Sequence, residues 1–309
     1  YSLKLNMKKL DALTTTRFFA ALTVIFFHGG KEFFPLNLYP ITPLFTSGPV
    51  FVSYFFVLSG FILAYVYYRP KEKFSFNYFW GARFARIYPV YLFSFGLIIT
   101  DHIDSIIITN PIKLWSNLAL VQAWIPQYAL SFNIAAWSLS VEAFFYLVFP
   151  FVMLWAYRQN FRRIVTTSSL IWLSSQIIHI YLVNKLGTES HNFLYYNPLF
   201  HLNAFLVGIG GGIWFQSKGK SQAIQQKRNS RAFLLSLLLI GGILLWNYHP
   251  AKAGSVSIHI PLANGILAPL FLLTITNLAL DKTKISKILS HPFLVLLGEA
   301  SYALYIVHI

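Results

Sequence analysis

The sequence predicts an all-α, polytopic membrane fold, and three observations carry that reading. Of the 309 residues, 56% are apolar and only 11% charged, less than half the roughly 25% usual in a soluble domain. Nine apolar stretches approach the about 20 residues that a helix needs to cross a bilayer. Basic residues gather on alternate connections between those stretches, as they do when one side of a membrane retains them.

The nine stretches are 10–29, 48–68, 86–101, 135–157, 164–183, 198–215, 232–248, 262–280 and 292–309. The first is not a cleavable leader, because it carries Arg17 inside it and lacks a small-x-small cleavage site. A tenth apolar segment, 113–124 (KLWSNLALVQAW), has only 12 residues, a length that suits a re-entrant or interfacial helix better than a span. The charges support this. If 113–124 does not cross, 20 of the 24 Lys and Arg residues fall on one side, the side of the N-terminus. Only Lys31, Lys113, Lys185 and Lys252 fall on the other. If 113–124 did cross, every later loop would change sides and the asymmetry would vanish. The expectation is therefore nine to ten transmembrane helices plus one short re-entrant or interfacial helix, with the N-terminus cytoplasmic and the chain in a plasma membrane, the inner one in a bacterium. The same asymmetry accounts for the net charge of +15 without a nucleic-acid partner. The sequence reads as a single transmembrane domain over 1–309. It starts six residues before Met7 and stops inside its last apolar stretch, so a missing final helix is expected.

Charges at bilayer depth are costly, which makes each one a functional candidate. Arg17 and His28 lie 11 residues apart on the first stretch, roughly 16 Å along a helix. Arg17 snorkelling to headgroups and His28 capping the helix is the plain structural alternative. Glu142 enters its span from the opposite end and should lie near the depth of His28, where a neighbouring His or Arg would stabilise its charge. An interhelical polar bond is the alternative there. Ser301, Tyr305 and His308 follow i, i+4, i+7 spacing and share a helix face, with Tyr302 beside it; an interfacial aromatic belt explains them equally. Arg83 and Arg86, at i and i+3 just before the third span, can grip phosphate groups bidentately or merely anchor the chain. There are no cysteines, and no His or carboxylate spacing argues for a metal. GIGGG at 208–212 lies inside a span and reads as close helix packing.

Five segments in order resemble the membrane-bound acyltransferase 3 family, polytopic enzymes that O-acylate glycans and other acceptors. RFFAALTVIFFH (17–28) resembles its Arg-x10-His signature and FVSYFFVLSGFILAY (51–65) its FFxLSGF segment. RFARIYPVY (83–91) is similar to its RxxRIxPxY block, AWSLSVEAFFYLVFP (136–150) to WSLxxExxFY, and LGEASYALYIVH (297–308) to the closing LGxxSYxLYxxH.

The resemblance implies transfer of an acyl group, acetyl first among them, from cytoplasmic acyl-CoA to a hydroxyl of a carbohydrate or lipid-linked glycan. Arg17, Arg83 and Arg86 are then expected to hold the acetyl-CoA co-substrate. His28 acts as general base or acyl carrier, with Glu142 orienting its ring in the same pocket. Ser138, Tyr302, Tyr305 and His308 contact the acceptor. A proton-coupled transporter or flippase of a glycolipid, using Glu142 and His28 as a relay, is the alternative from another class; it has no use for a phosphate grip at 83–86.

Overall fold

A computed structural model describes residues 10–30, 32–38, 41–70, 74–99, 110–187, 190–219, 231–248, 260–281 and 283–308. These residues form helices, and among them there is no strand. In chain order they are α1 (Asp11–Gly29), α2 (Thr42–Thr46), α3 (Gly48–Tyr67), α4 (Phe76–Ile99), α5 (Pro111–Leu118), α6 (Trp137–Ala156), α7 (Phe161–Leu186), α8 (His191–Tyr196), α9 (Leu202–Trp214), α10 (Arg231–Tyr248), α11 (Ala268–Leu280), α12 (Lys284–Leu289) and α13 (Pro292–Val307). Five helical runs are long and apolar enough to cross a membrane: Asp11–Gly29, Gly48–Tyr67, Phe76–Ile99, Ile134–Ala156 and Pro198–Ser217. Shorter apolar helices cover Arg231–Asn247, Ala268–Leu280 and Pro292–Val307. Among the described residues the five long runs meet the length and composition of a crossing, part of the nine to ten expected. Large apolar side chains on the outside, among them Phe93, Leu170, Ile177 and Leu238, are what lipid rather than water would cover.

Two boundaries differ from the sequence reading in ways that matter. The third apolar stretch was expected to begin at residue 86, with Arg83 and Arg86 in the preceding loop. Instead α4 starts at Phe76 and carries both arginines within it. The aromatic run FNYFWGAR holds a single Gly81, which a helix tolerates, and Pro89 is accommodated inside the helix; the charges lower the hydropathy without interrupting the backbone. The basic residues expected at Lys4, Lys8, Lys9, Lys31, Lys71, Lys73, Lys220, Lys227, Arg228, Lys252 and Lys282 lie outside the described residues.

The short segment is an eight-residue helix, α5, with Asn110 capping its N-terminus by accepting from the Lys113 amide. Its C-terminal end is held at the middle of α4. Tyr88 donates to the Leu118 carbonyl (3.0 Å) and Tyr91 to the Asn117 carbonyl (2.9 Å). The chain then turns through Leu120, whose φ is +55°.

The tightest seam joins α3 to α9. A Cβ added at Gly208 would lie 2.1 Å from the Val57 carbonyl oxygen, and one at Gly212 would lie 2.3 Å from that of Phe61. Gly60 faces the reverse way, 2.2 Å from the Phe205 carbonyl oxygen. Glycines on both helices therefore let the backbones touch, the small-residue packing available where lipid supplies no hydrophobic drive between helices. Beside the seam, the Phe145 and Phe205 rings stack 4.4 Å apart. At one end of α1 a similar approach places Gly298 against the Thr14 carbonyl oxygen, locking α13 to α1.

Gly208→Ala should therefore lower the unfolding temperature in nanodiscs, with an overpacking cost of about 1–3 kcal/mol. Gly241→Ala, where an added Cβ meets nothing within 4 Å, should leave the temperature unchanged. A differential scan of the two variants checks this.

Candidate active site

Two cavities sit on either side of a shared wall. The inner one, about 90 Å³, is lined by Arg17 of α1, Ser59 of α3, Arg83 and Arg86 of α4, Ser138, Glu142 and Tyr146 of α6, and Ser301, Tyr302 and Tyr305 of α13. Ser138, Glu142 and Tyr146 recur every four residues, one stripe down α6. The outer cavity, about 630 Å³, is lined by His28 of α1 and by residues that include Trp137, His179, His191, Tyr195, Tyr196 and Asn264. Val52 and Tyr305 line both.

The inner cavity is cationic. Three guanidinium groups face one carboxylate. Tyr146 donates a short hydrogen bond to Glu142 Oε1, and Ser59 donates to the same oxygen at 3.4 Å. Arg17 lies within electrostatic range of Glu142, Arg86 and Tyr146. Arg83 is held in an aromatic cage. Its guanidinium carbon is 5.9 Å from the Tyr67 and Phe79 ring centres and 6.0 Å from that of Tyr146. Its Nε is buried without a hydrogen-bond partner among the described residues. Excess positive charge and an unspent donor favour an anion here. At roughly 30 Å³ per water the cavity holds about three waters, so only the end of a larger anion fits. A neighbouring cavity of about 400 Å³ shares Arg83 and Tyr146 with it.

The wall is built from polar groups already paired. The Ser138 hydroxyl donates to the Ala135 carbonyl at 2.9 Å, and the Tyr305 hydroxyl meets Ser138 Oγ at 2.9 Å. Tyr302 donates to the Ile87 carbonyl at 2.6 Å. Ser138, Tyr302 and Tyr305, expected to contact the acceptor, line this cavity with hydroxyls that hold internal partners.

His28 is positioned by α13. Its Nδ1 lies 2.9 Å from His308 Nε2. The rings are 5.1 Å apart between centres and tilted by 20°, the separation of two imidazoles meeting nitrogen to nitrogen edge-on. His308 Nδ1 lies 2.6 Å from the Tyr305 carbonyl oxygen. A carbonyl only accepts, so His308 carries its proton on Nδ1 and its neutral form has a bare Nε2. With both rings neutral, that nitrogen accepts from His28 Nδ1–H. A helix-terminal carbonyl thus sets two tautomers in series.

The expected meeting of His28 and Glu142 does not occur: they line different cavities. Their depths were judged alike from position along each span, and depth is blind to the Tyr305 ring standing between them. Glu142 shares its cavity with the three arginines, and His308, expected to touch the acceptor, is the group bonded to His28. Tyr146 and Ser59 were missed. Tyr146 is legible in hindsight as the residue one turn beyond Glu142. Among the described residues no cluster of His, Asp or Glu has the makings of a metal site.

A family model described as an acyltransferase domain matches residues 10–309. The chain belongs to this acyltransferase family. The match runs over α1 to α13, so every residue of both cavities falls within the family's domain, and with its apolar helices the chain is a membrane protein. Among curated relatives, acyltransferase MdmB of Streptomyces mycarofaciens is 39% identical over 152 residues, 46% of this chain and 38% of its own. O-acetyltransferase OatA of Staphylococcus aureus (strain NCTC 8325 / PS 47) is 24% identical over 326 residues, 97% of this chain and 50% of its own. The chain thus spans half or less of the length of these two relatives. No solved structure matches it.

If Glu142 is the counter-charge of the arginines, Glu142→Gln should lower the unfolding temperature, and adding Arg17→Gln should restore part of the loss. A double-mutant cycle should give a coupling on the order of 1–3 kcal/mol; additive single effects would show that the two do not interact.

Proposed function

We propose that this acyltransferase-family chain is a membrane O-acyltransferase. It moves an acyl group, acetyl first among candidates, from cytoplasmic acyl-CoA to a hydroxyl of a cell-surface carbohydrate or lipid-linked glycan. The observation that carries the reading is the pair of cavities meeting at Val52 and Tyr305, cationic on one side and bearing His28 on the other. Such a division suits a reaction whose anionic donor and neutral acceptor approach from opposite faces. With basic residues retained inside, the Arg17 end of α1 is cytoplasmic and the His28 end faces outward.

In this reading Arg17, Arg83 and Arg86 receive phosphate groups of the donor, and the volume beside Arg83 takes the part that the small inner cavity cannot. The acyl end passes Tyr305 to reach His28; the roughly 16 Å from Arg17 to His28 along α1 is commensurate with a long thin arm. His28 Nε2 takes the acceptor hydroxyl's proton as that oxygen bonds to the acyl carbon. The carbon–sulfur bond breaks, and His28 returns the proton to the departing thiolate. While charged, the imidazolium keeps donating through Nδ1 to the neutral His308, which orients it as a carboxylate does in a hydrolytic triad. The same Nε2 would be the nucleophile if the acyl group paused on His28. A proton-coupled transporter would leave the family membership unexplained.

Mass spectrometry of surface glycans with and without the gene tests the reading. The expected result is a loss of about 42 Da per modified site, one acetyl group; an unchanged glycan profile would contradict it. In membranes containing correctly folded variants, His28→Ala should cut transfer about 10²- to 10⁴-fold, measured as acetyl incorporated into acceptor.

A further inference from the structure

The end of α13, the entry to α6 and the last turns of α4 meet on one side chain, Asn133. It is 1% exposed, and Ser94 beside it 2%. The Asn133 amide nitrogen donates to the Ile306 carbonyl at 2.8 Å and to Ser94 Oγ at 2.9 Å. Its oxygen accepts from the Ala135 N–H at 2.9 Å. Ser94 in turn donates to the same Ile306 carbonyl at 2.9 Å. A backbone N–H only donates and a carbonyl only accepts, so one orientation of the amide fits, with both of its hydrogens spent.

These bonds bracket the residue that stands between the two cavities. The last carbonyls of a helix have no partner within it, and α13 ends at Val307. The Tyr305 carbonyl is matched with His308 Nδ1 at 2.6 Å. The next carbonyl along, that of Ile306, is the one Asn133 and Ser94 hold. The Tyr305 hydroxyl meets Ser138 Oγ, and Ser138 donates to the Ala135 carbonyl, on the short Ile134–Ala136 turn that Asn133 caps. One side chain thus fixes the backbone just beyond Tyr305 and the turn that receives its hydroxyl. Released from its two donors, the last turn of α13 can rotate, and the Tyr305 carbonyl then leaves the line of His308 Nδ1.

We infer that Asn133 is a positioning residue for His28. By clamping the Ile306 carbonyl it holds the neighbouring Tyr305 carbonyl on His308 Nδ1, and so sets which His308 nitrogen is left to accept from His28. Ser94 is the second jaw of the clamp. Its helix, α4, also carries Arg83 and Arg86, and α6, which follows the capped turn, carries Glu142. The clamp therefore ties the arginine helix and the glutamate helix to the histidine pair. The inference rests on the acyltransferase reading only for what His28 does; the control of His308 stands on the hydrogen bonds themselves.

Asn133→Asp separates capping from clamping. It keeps an oxygen for the Ala135 N–H, but a carboxylate brings no donor, and a carboxylic acid only one, where the amide brings two. In the full chain in nanodiscs, nitrogen-15 NMR of labelled histidine should then show His308 protonated on Nδ1 in only part of the molecules. The kcat for acetyl transfer should fall about 10- to 100-fold, with KM for acetyl-CoA unchanged. In a His308→Ala background the same substitution should add no further loss. Ser94→Ala removes one of the two donors to Ile306 and should move both readouts the same way, kcat by about two- to fivefold; it is the deciding variant where Asn133→Asp does not fold. A brace without influence on His308 gives another pattern: a lower unfolding temperature with the His308 signal intact. That pattern, or a loss of kcat that persists in full without His308, would overturn the role. If the wild-type chain transfers no acetyl group, the acyltransferase reading falls and the His308 signal still decides the clamp. Wild-type transfer with signal and kcat unchanged in the folded variants contradicts the clamp alone.

Discussion

The contact between His28 Nδ1 and His308 Nε2 is the constraint on which the site depends. It joins the first and last described helices across 280 residues of sequence, at the opposite end of α1 from the Gly298–Thr14 approach. Two points of attachment fix α13 along α1. Once they are set, Arg17 must face Ser301 and Tyr302, and Tyr305 must fall between the two cavities. Thr15 adds a bond to the Leu289 carbonyl at 2.6 Å, tying the turn before α13 to the same helix. The chemistry inherits this geometry, because the tautomer of His28 is decided by a carbonyl on α13.

Charge is segregated to match. The arginines of α1 and α4 converge on one cavity, where Glu142 offsets part of their repulsion and the aromatic rings around Arg83 supply a face that tolerates a cation without neutralising it. The outer cavity holds histidines, tyrosines, a tryptophan and amides.

Much of the helical plan could be read from the sequence, because bilayer-length apolar runs leave little freedom. The Gly-rich 208–212 segment announced its close packing, and 113–124 announced its shortness. The start of α4 was hidden, since Arg83 and Arg86 depress hydropathy in a helix that continues through them. The pairing of Glu142 with His28 was the larger error, and its cause is general. Sequence position gives depth in the membrane but not azimuth, and whether two residues at equal depth meet depends on helix rotation, settled here by the Gly60, Gly208 and Gly298 approaches. His179, Tyr195 and Asn264 come from α7, α8 and the turn before α11, segments with no local motif, so only the folded chain brings these residues to one cavity.

The most direct measurement is solid-state nitrogen-15 NMR of histidine-labelled protein in bilayers at neutral pH, with the two signals assigned through His28→Asn and His308→Asn. Both residues should show a protonated Nδ1 and a bare Nε2, the tautomer less favoured by free histidine. A protonated Nε2 on His28 in the neutral ring would contradict the account, because the nitrogen meant to accept the proton would already hold one.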